Sequence, residues 1–270
     1  MKKVILITGA SAGMGKEMAK ELLKDGYVVY GAARRLEKMD DIKKLGVKVL
    51  AMDVTDQDAM VAGIDTIIKA EGHIDVLINN AGFGSYGAIE DVSMTDARYQ
   101  LEVNVIGAAR LTQLVLPHMR KQRNGRIINI SSIGGKVSMP LGGWYHASKF
   151  ALEALSDALR NEVKRFGIDV VVIEPGGVKS DWSEIASNHM AKASGDSAYS
   201  DFAAQFDMVR KKAEVNNAEP IVIVNLVRKA IATKIPKTRY HGGYMAGLVL
   251  FLRKMLPDRA MDNMLMSQLK

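Results

Sequence analysis

Residues 4–15 read Val4-Ile5-Leu6-Ile7-Thr8-Gly9-Ala10-Ser11-Ala12-Gly13-Met14-Gly15. The apolar run predicts a strand buried on both faces, and the helical pattern starting near Met14 predicts a strand–turn–helix unit. Glycine lets the chain turn sharply and lets its backbone approach a pyrophosphate. The helix N-terminus behind it offers free N–H groups and the positive end of a dipole. The spacing is T-G-x-x-x-G-x-G rather than G-x-G-x-x-G. Turns also favour glycine, but a place between a first strand and a first helix makes a dinucleotide loop the better reading.

Outward from this loop, short β-branched runs alternate with longer helical patterns. Strands are predicted at 4–8, 27–32, 47–52, 74–79, 126–131 and 168–174, and helices at 14–25, 36–45, 57–71, 96–119 and 145–166. Near-continuous apolar strands separated by helices imply a mostly parallel sheet covered on both faces, so the fold class is a doubly wound α/β sheet. Right-handed crossovers then bring the strand C-termini to one edge of the sheet. After Pro175 the pattern loosens. Residues 180–217 carry scattered Trp182, His189, Met190, Tyr199, Phe202 and Phe206, and read as a substrate lid or binding loop. Helix is predicted again at 220–233, a seventh strand at 238–241, and an apolar helical tail within 243–270. No linker or internal repeat divides the chain, so a single domain of 1–270 is expected.

Composition narrows the class. Of 270 residues 48% are hydrophobic and 25% charged, which excludes disorder and low complexity. The absence of cysteine rules out disulfides, thiolate metal sites and thiol nucleophiles, and suits a reducing cytoplasm. The apolar run at Val4–Ile7 stops at Thr8-Gly9, too short for a signal peptide, and the run 248–252 falls far below the about 20 residues a bilayer requires. The net charge of +7 is concentrated in residues 205–270, with 12 Lys and Arg against 5 Asp and Glu. No groove-reading motif accompanies it, so no nucleic-acid partner is expected and a solvated basic face is the better reading. His73, His118, His189 and His241 share no ligand spacing, His146 reads as structural, and no metal site is expected.

Two strand ends and one helix start carry candidate chemistry. After the second strand, where NAD-binding folds place a carboxylate, the chain has Arg34-Arg35, suited to gripping an extra phosphate bidentately. Tyr145-His146-Ala147-Ser148-Lys149 places a phenol and an ammonium at i, i+4 on one helical face. A cation near a phenol favours its phenolate, which would let Tyr145 serve as a general acid or base. Ser132 follows the fifth strand, where its hydroxyl could polarise a carbonyl.

With these residues in hand, the chain resembles the short-chain dehydrogenase/reductase family, in its shorter, non-epimerase branch. The resemblance rests on Thr8 to Gly15, Asp53-Val54, Asn79-Asn80-Ala81-Gly82, Asn104, Ser132, Tyr145 with Lys149, and Pro175-Gly176. The stretches 236–240 and 256–259 look like members close to the retinol and hydroxysteroid dehydrogenases. The resemblance implies a Rossmann fold and gives each residue a role. Tyr145 would exchange the proton at the substrate oxygen and Ser132 would hydrogen-bond that oxygen. Lys149 would bind the nicotinamide ribose and lower the Tyr145 pKa, and Asn104 would hold a relay water. Gly9, Ser11, Gly13, Met14 and Gly15 would form the cofactor loop. Asp53 would contact adenine with Val54 beside it, and Asn80, Ala81 and Gly82 would line the adenine ribose. Pro175, Gly176 and Val178 would enclose the nicotinamide, with Ser180 where the family often has Thr. Members preferring NADP often carry a basic residue where this chain has Ala12, leaving Arg34 and Arg35 to supply that preference.

The expectation is an NADP(H)-preferring oxidoreductase, with NAD(H) possible, that interconverts a carbonyl and an alcohol on a lipophilic small molecule. A sugar-nucleotide epimerase would show T-G-x-x-G-x-x-G and a larger substrate domain. A dinucleotide-sensing regulator on the same fold would be expected to lose Tyr145 or Lys149. A homo-oligomer is expected. For the apolar tail, a pocket wall or subunit contact ranks first and a membrane surface last.

Overall fold

The computed structural model describes residues 2–180 and 182–269. Met1, Asp181 of the lid segment and Lys270 of the tail lie outside the described residues. The first strand, β1 (Val4–Thr8), is buried along its whole length, as an apolar run with no polar face must be. It leads through the glycine loop into α1 (Gly13–Lys24) and on to β2 (Val28–Ala33), α2 (Asp40–Leu45), β3 (Lys48–Ala51) and α3 (Gln57–Glu71). The chain then returns to the centre with β4 (Val76–Asn79), α4 (Met94–Leu101), α5 (Gly107–Gln122), β5 (Gly125–Ile130), α6 (Gly143–Val163) and β6 (Ile168–Pro175). The strand order is β3-β2-β1-β4-β5-β6-β7, with β7 at Arg239–Gly242, and every pairing is parallel. The doubly wound seven-stranded sheet is therefore present, with no antiparallel strand in it among the described residues.

Two apolar layers sandwich the sheet. One joins Ile5 and Ile7 to Met18, Leu22, Ile223 and Val227; the other joins Val4 and Leu6 to Ile64, Ile67, Leu111 and Val115. Alternate residues of β1 thus feed opposite layers, as the two-residue strand period dictates. The chain leaves β1 toward β3 in one direction and toward β7 in the other. The crevice beyond the C-termini of β1 and β4 is the switch point where ligands bind in such sheets.

The structure corrects the sequence reading in three places. The helix expected over 96–119 is broken into α4, a π-helical turn at Glu102–Ile106 and α5. Segment 180–217, expected as a loop, forms two helices, α7 (Trp182–Ser194) and α8 (Ser200–Glu214). Ala186 and Met190 on one, and Ala203 and Phe206 on the other, recur at helical spacing and are buried together. The tail forms α10 (Ala246–Met255) and α11 (Asp258–Ser267), after α9 (Ile221–Ala232). Of α10 only Ala246 is buried, and α10 supplies no residue to the apolar cluster around Tyr145. The wall role expected of the apolar helix falls instead to Leu269, buried in that cluster, whose carbonyl accepts a hydrogen bond from Gln205 of α8. Among the described residues no helix is long and apolar enough to cross a membrane.

Candidate active site

The glycine loop is held open by its neighbours. Gly9 and Gly13 sit at φ +68° and +51°, a region that side chains disfavour. A Cβ on Gly15 would lie 2.3 Å from the Gly9 carbonyl oxygen, so only glycine lets α1 pack this close to the loop. Thr8 ties β1 to the end of β4, its hydroxyl accepting from the Asn80 and Ala81 amides at 3.0 and 2.9 Å. The Asn80 side chain donates to the Thr8 and Gly9 carbonyls at 2.9 and 3.3 Å. Its amide therefore shapes the loop, where the resemblance implied a ribose contact. Ala12 cannot cap α1, no side chain caps it, and its first turn holds no acidic residue. The free N–H groups of that turn suit a pyrophosphate. Ser180 stands over the loop, its Cβ 3.4 Å from where a Gly13 Cβ would sit.

At the end of β2, Arg34 and Arg35 are exposed. The Arg34 guanidinium donates to the Tyr99 hydroxyl at 2.8 Å and lies 4.0 Å from Asp53. Asp53 accepts from the amide and hydroxyl of Thr55, both at 2.9 Å, so one of its oxygens serves a local turn. Val54 is buried, with its carbonyl against Gly107. These residues frame the adenosine end of a dinucleotide, and the loop frames its pyrophosphate; the donor set fits such a cofactor.

Tyr145 and Lys149 lie one turn apart on α6 and are both buried. The Lys149 ammonium donates to the Ile130 carbonyl at 2.9 Å and lies 5.9 Å from the centre of the Tyr145 ring. Gly82 completes the corner: a Cβ there would be 3.0 Å from Asn104 Oδ1 and 3.7 Å from Lys149 Nζ. Asn104 sits in the π-helical turn, a distortion frequent at functional sites. Its amide donates to the Phe83 carbonyl and the Ser148 hydroxyl, both at 3.0 Å, and its oxygen accepts from the Phe83 amide at 3.1 Å. The side chain implied to hold a relay water is thus engaged in holding loop and helix together. Ser132 caps a 3-10 turn, Ile133–Gly135, accepting from the Gly134 amide at 3.0 Å, and lies 3.5 Å from the Pro175 carbonyl.

Electrostatics correct one expectation. Burial pushes the Tyr145 phenol up to about 12, with a hydrogen bond from Ser132 pulling the other way. Lys149 is itself held down at about 8 by burial, against the attraction of Glu153. The lowering of the phenol that the resemblance assigned to Lys149 is absent from this state, because desolvation dominates and the ammonium lies over the ring rather than at the hydroxyl. Beneath the site, Glu153 of α6 takes Lys136 and Arg239 at 3.0 and 2.9 Å, and Arg239 reaches Glu174 at 3.6 Å.

Aromatic side chains wall the phenol. Trp182 of the lid and Tyr86 stand 5.2 and 5.8 Å from the Tyr145 ring, and Phe206 packs behind Tyr86 at 6.4 Å. His146, which the sequence reads as structural, meets the Gly134 carbonyl at 3.0 Å, and burial holds its pKa below the ordinary imidazole value. A separate groove of about 500 Å³, lined by Ile89, Met139, Gly143, Ala147, Phe150 and Met266, runs along the other face of α6. Sequence reasoning quoted Thr8 in the loop motif without giving it a role, and missed Tyr86 and Glu153 as parts of the site. Thr8, as the polar end of an apolar strand, and Glu153, at i+4 from Lys149, carried a local signal. Tyr86 carried none.

Sheet order, glycine loop and the Ser132–Tyr145–Lys149 corner define a dinucleotide-dependent oxidoreductase fold. The family model described as short chain dehydrogenase matches residues 3–191, and the chain belongs to the short-chain dehydrogenase/reductase family. It is 37% identical over 262 residues to a 3-ketodihydrosphingosine reductase of Bacteroides thetaiotaomicron, covering 96% of this chain and 95% of the relative. It is 33% identical to an NADPH-dependent 3-dehydrocapnine reductase of Ornithobacterium rhinotracheale, with 98% and 96% covered. The rat 17-beta-hydroxysteroid dehydrogenase type 6 is 30% identical, with 97% and 87% covered.

Proposed function

We propose that this protein is an NADP(H)-preferring oxidoreductase that interconverts a ketone and a secondary alcohol on a largely apolar molecule. The observation that carries the reading is the Tyr145 phenol, placed beside Ser132 and enclosed by Tyr86, Trp182 and Phe206. When bound, the nicotinamide donates or accepts a hydride. Ser132 hydrogen-bonds the substrate oxygen, and Tyr145 gives it a proton as negative charge develops there. A phenol held at about 12 is protonated at neutral pH, the form that can give a proton to the substrate oxygen. Lys149 anchors the nicotinamide ribose, and Asn104 positions α6 against the loop after β4. Gly9, Ser11, Gly13, Met14 and Gly15 hold the pyrophosphate. Pro175, Gly176, Val178 and Ser180 enclose the nicotinamide, with Asp53, Val54, Asn80, Ala81 and Gly82 around adenosine.

Arg34 and Arg35 support the NADP preference, and the relative named NADPH-dependent is consistent with it. The aromatic wall supports an apolar substrate, as do relatives named for a hydroxysteroid and a ketodihydrosphingosine. Residues 1–270 act as one catalytic domain, with a lid at 180–217 and a tail at 243–270, in a cytoplasmic setting. The testing experiment is a substrate panel, from acetoin-sized ketones to steroid and long-chain keto compounds, with NADPH and NADH. A higher kcat/KM for lipophilic ketones with NADPH is expected. Equal rates on small polar ketones, or a preference for NADH, would overturn the corresponding half.

A further inference from the structure

Four large apolar side chains of the tail face solvent. Leu248, Phe251 and Met255 recur at i, i+3 and i+7 on α10, one helical stripe, and are 49%, 59% and 62% exposed, with Tyr244, 37% exposed, just ahead of the helix. An exposed stripe rather than a scatter signals a surface with an occupant. The chain around it is cationic: between Glu219 and Asp258 there is no acidic residue, while seven Lys and Arg occur, of which Arg228, Arg239 and Arg253 are ion-paired. Lys234, Lys237 and Lys254 among these are exposed, and Ile235, between the first two, is 84% exposed.

We propose that α10 is an interfacial helix that seats the protein on an anionic lipid surface. A helix of ten residues is far too short to span a bilayer, but an apolar face sunk about 5–10 Å into the headgroup boundary needs only such a stripe. A second copy of the chain fits the same face less well. The stripe offers on the order of 400 Å², counting half of each side chain, against about 800 Å² per partner in a stable dimer. Nor does α10 carry a carboxylate that could answer the cations of a second copy. Anionic headgroups answer that charge directly. The inference stands apart from the substrate assignment, because binding to lipid is read without turnover.

The test is cosedimentation of the full chain with phosphatidylcholine vesicles and with vesicles carrying 30% phosphatidylglycerol, in the absence of cofactor. Binding on the order of 100-fold tighter to the anionic vesicles is expected, weakening with salt. Leu248→Glu/Phe251→Glu should abolish binding to both. Lys234→Gln/Lys237→Gln/Lys254→Gln should lower anionic binding by on the order of 100-fold, about fivefold per cation, leaving residual zwitterionic binding unchanged. Both variants should reduce any water-soluble ketone that the wild type accepts at its rate, and should melt as it does, since every altered side chain is exposed. Failure of the wild type to bind anionic vesicles would overturn the proposal. So would binding indifferent to the Leu248 and Phe251 changes. Loss of a dimer in those variants, without vesicle binding by the wild type, would reassign the stripe to a second copy.

Discussion

The Lys149 ammonium donates to the Ile130 carbonyl at 2.9 Å, pinning the second turn of α6 to the end of β5, two residues before Ser132. A cation buried this way is costly, and its pKa falls from 10.5 to about 8. The unfolded chain therefore binds more protons between about pH 8 and 10.5, and stability rises with pH across that window. Lys149→Met should remove this slope. At pH 7 the variant should melt no lower than the wild type, while turnover falls about 100-fold or more. Thermal melts at pH 7 and 10 check it; a variant melting 5 °C or more below wild type at pH 7 contradicts the account (that limit being about 1–2 kcal/mol for a chain of this size).

Tyr145→Phe keeps the ring packed against Tyr86 and Trp182 and removes only the hydroxyl. Turnover should fall by roughly 100- to 10,000-fold, with NADPH affinity unchanged by fluorescence titration. Near-normal turnover would exclude Tyr145 as the proton donor.

Glu174, buried and facing Glu153, is pushed up to about 7. Its folded value exceeds the ordinary 4.5, so its contribution to stability is lost as pH rises from about 4.5 through 7. Glu174→Gln should therefore melt roughly 2–4 °C above the wild type at pH 8 and show little gain at pH 4.5. A lower melting point at pH 8 would show that the contact with Arg239, at 3.6 Å, outweighs burial.

Arg34→Ala/Arg35→Ala should weaken NADPH binding, each lost charge-assisted contact being worth about 1.5–3 kcal/mol. NADH binding should stay within about twofold. Because Arg34 already leans on Tyr99 at 2.8 Å, Tyr99→Phe should give a smaller NADPH defect in the same direction. Parallel titrations with both cofactors decide; equal loss for both would remove the two arginines as the basis of preference.

Gly15→Ala drives a Cβ to within 2.4 Å of the Asn80 amide nitrogen. The loop must shift, so cofactor binding should be lost and stability should fall by about 3 kcal/mol. Gly26→Ala, at φ +87° with open space around it, should cost only about 1–2 kcal/mol of backbone strain and leave cofactor affinity intact. Denaturant melts and an NADPH titration of the pair separate collision from strain.

The sheet, its parallel sense and the residues at its strand ends were legible in the sequence because each is written locally. Apolar strand runs, a glycine loop and the i, i+4 pair Tyr145 and Lys149 need no knowledge of distant neighbours. The break in the helix at Asn104 was not legible, since a π-helical turn is selected by what the asparagine meets at Phe83 and Ser148. The lid carrying Trp182 was legible, but not the joining of Tyr86 and Leu269 to it around the phenol, since they come from distant parts of the chain. The protonation of the site is likewise a tertiary property. Spacing placed an ammonium on the face of a phenol, but burial, which no spacing encodes, sets Tyr145 near 12 and Lys149 near 8. Sequence periodicity determined that α10 would be an apolar helix. Only packing decided that its stripe faces outward, because the place beside Tyr145 is already filled by the lid and the last turn of the tail.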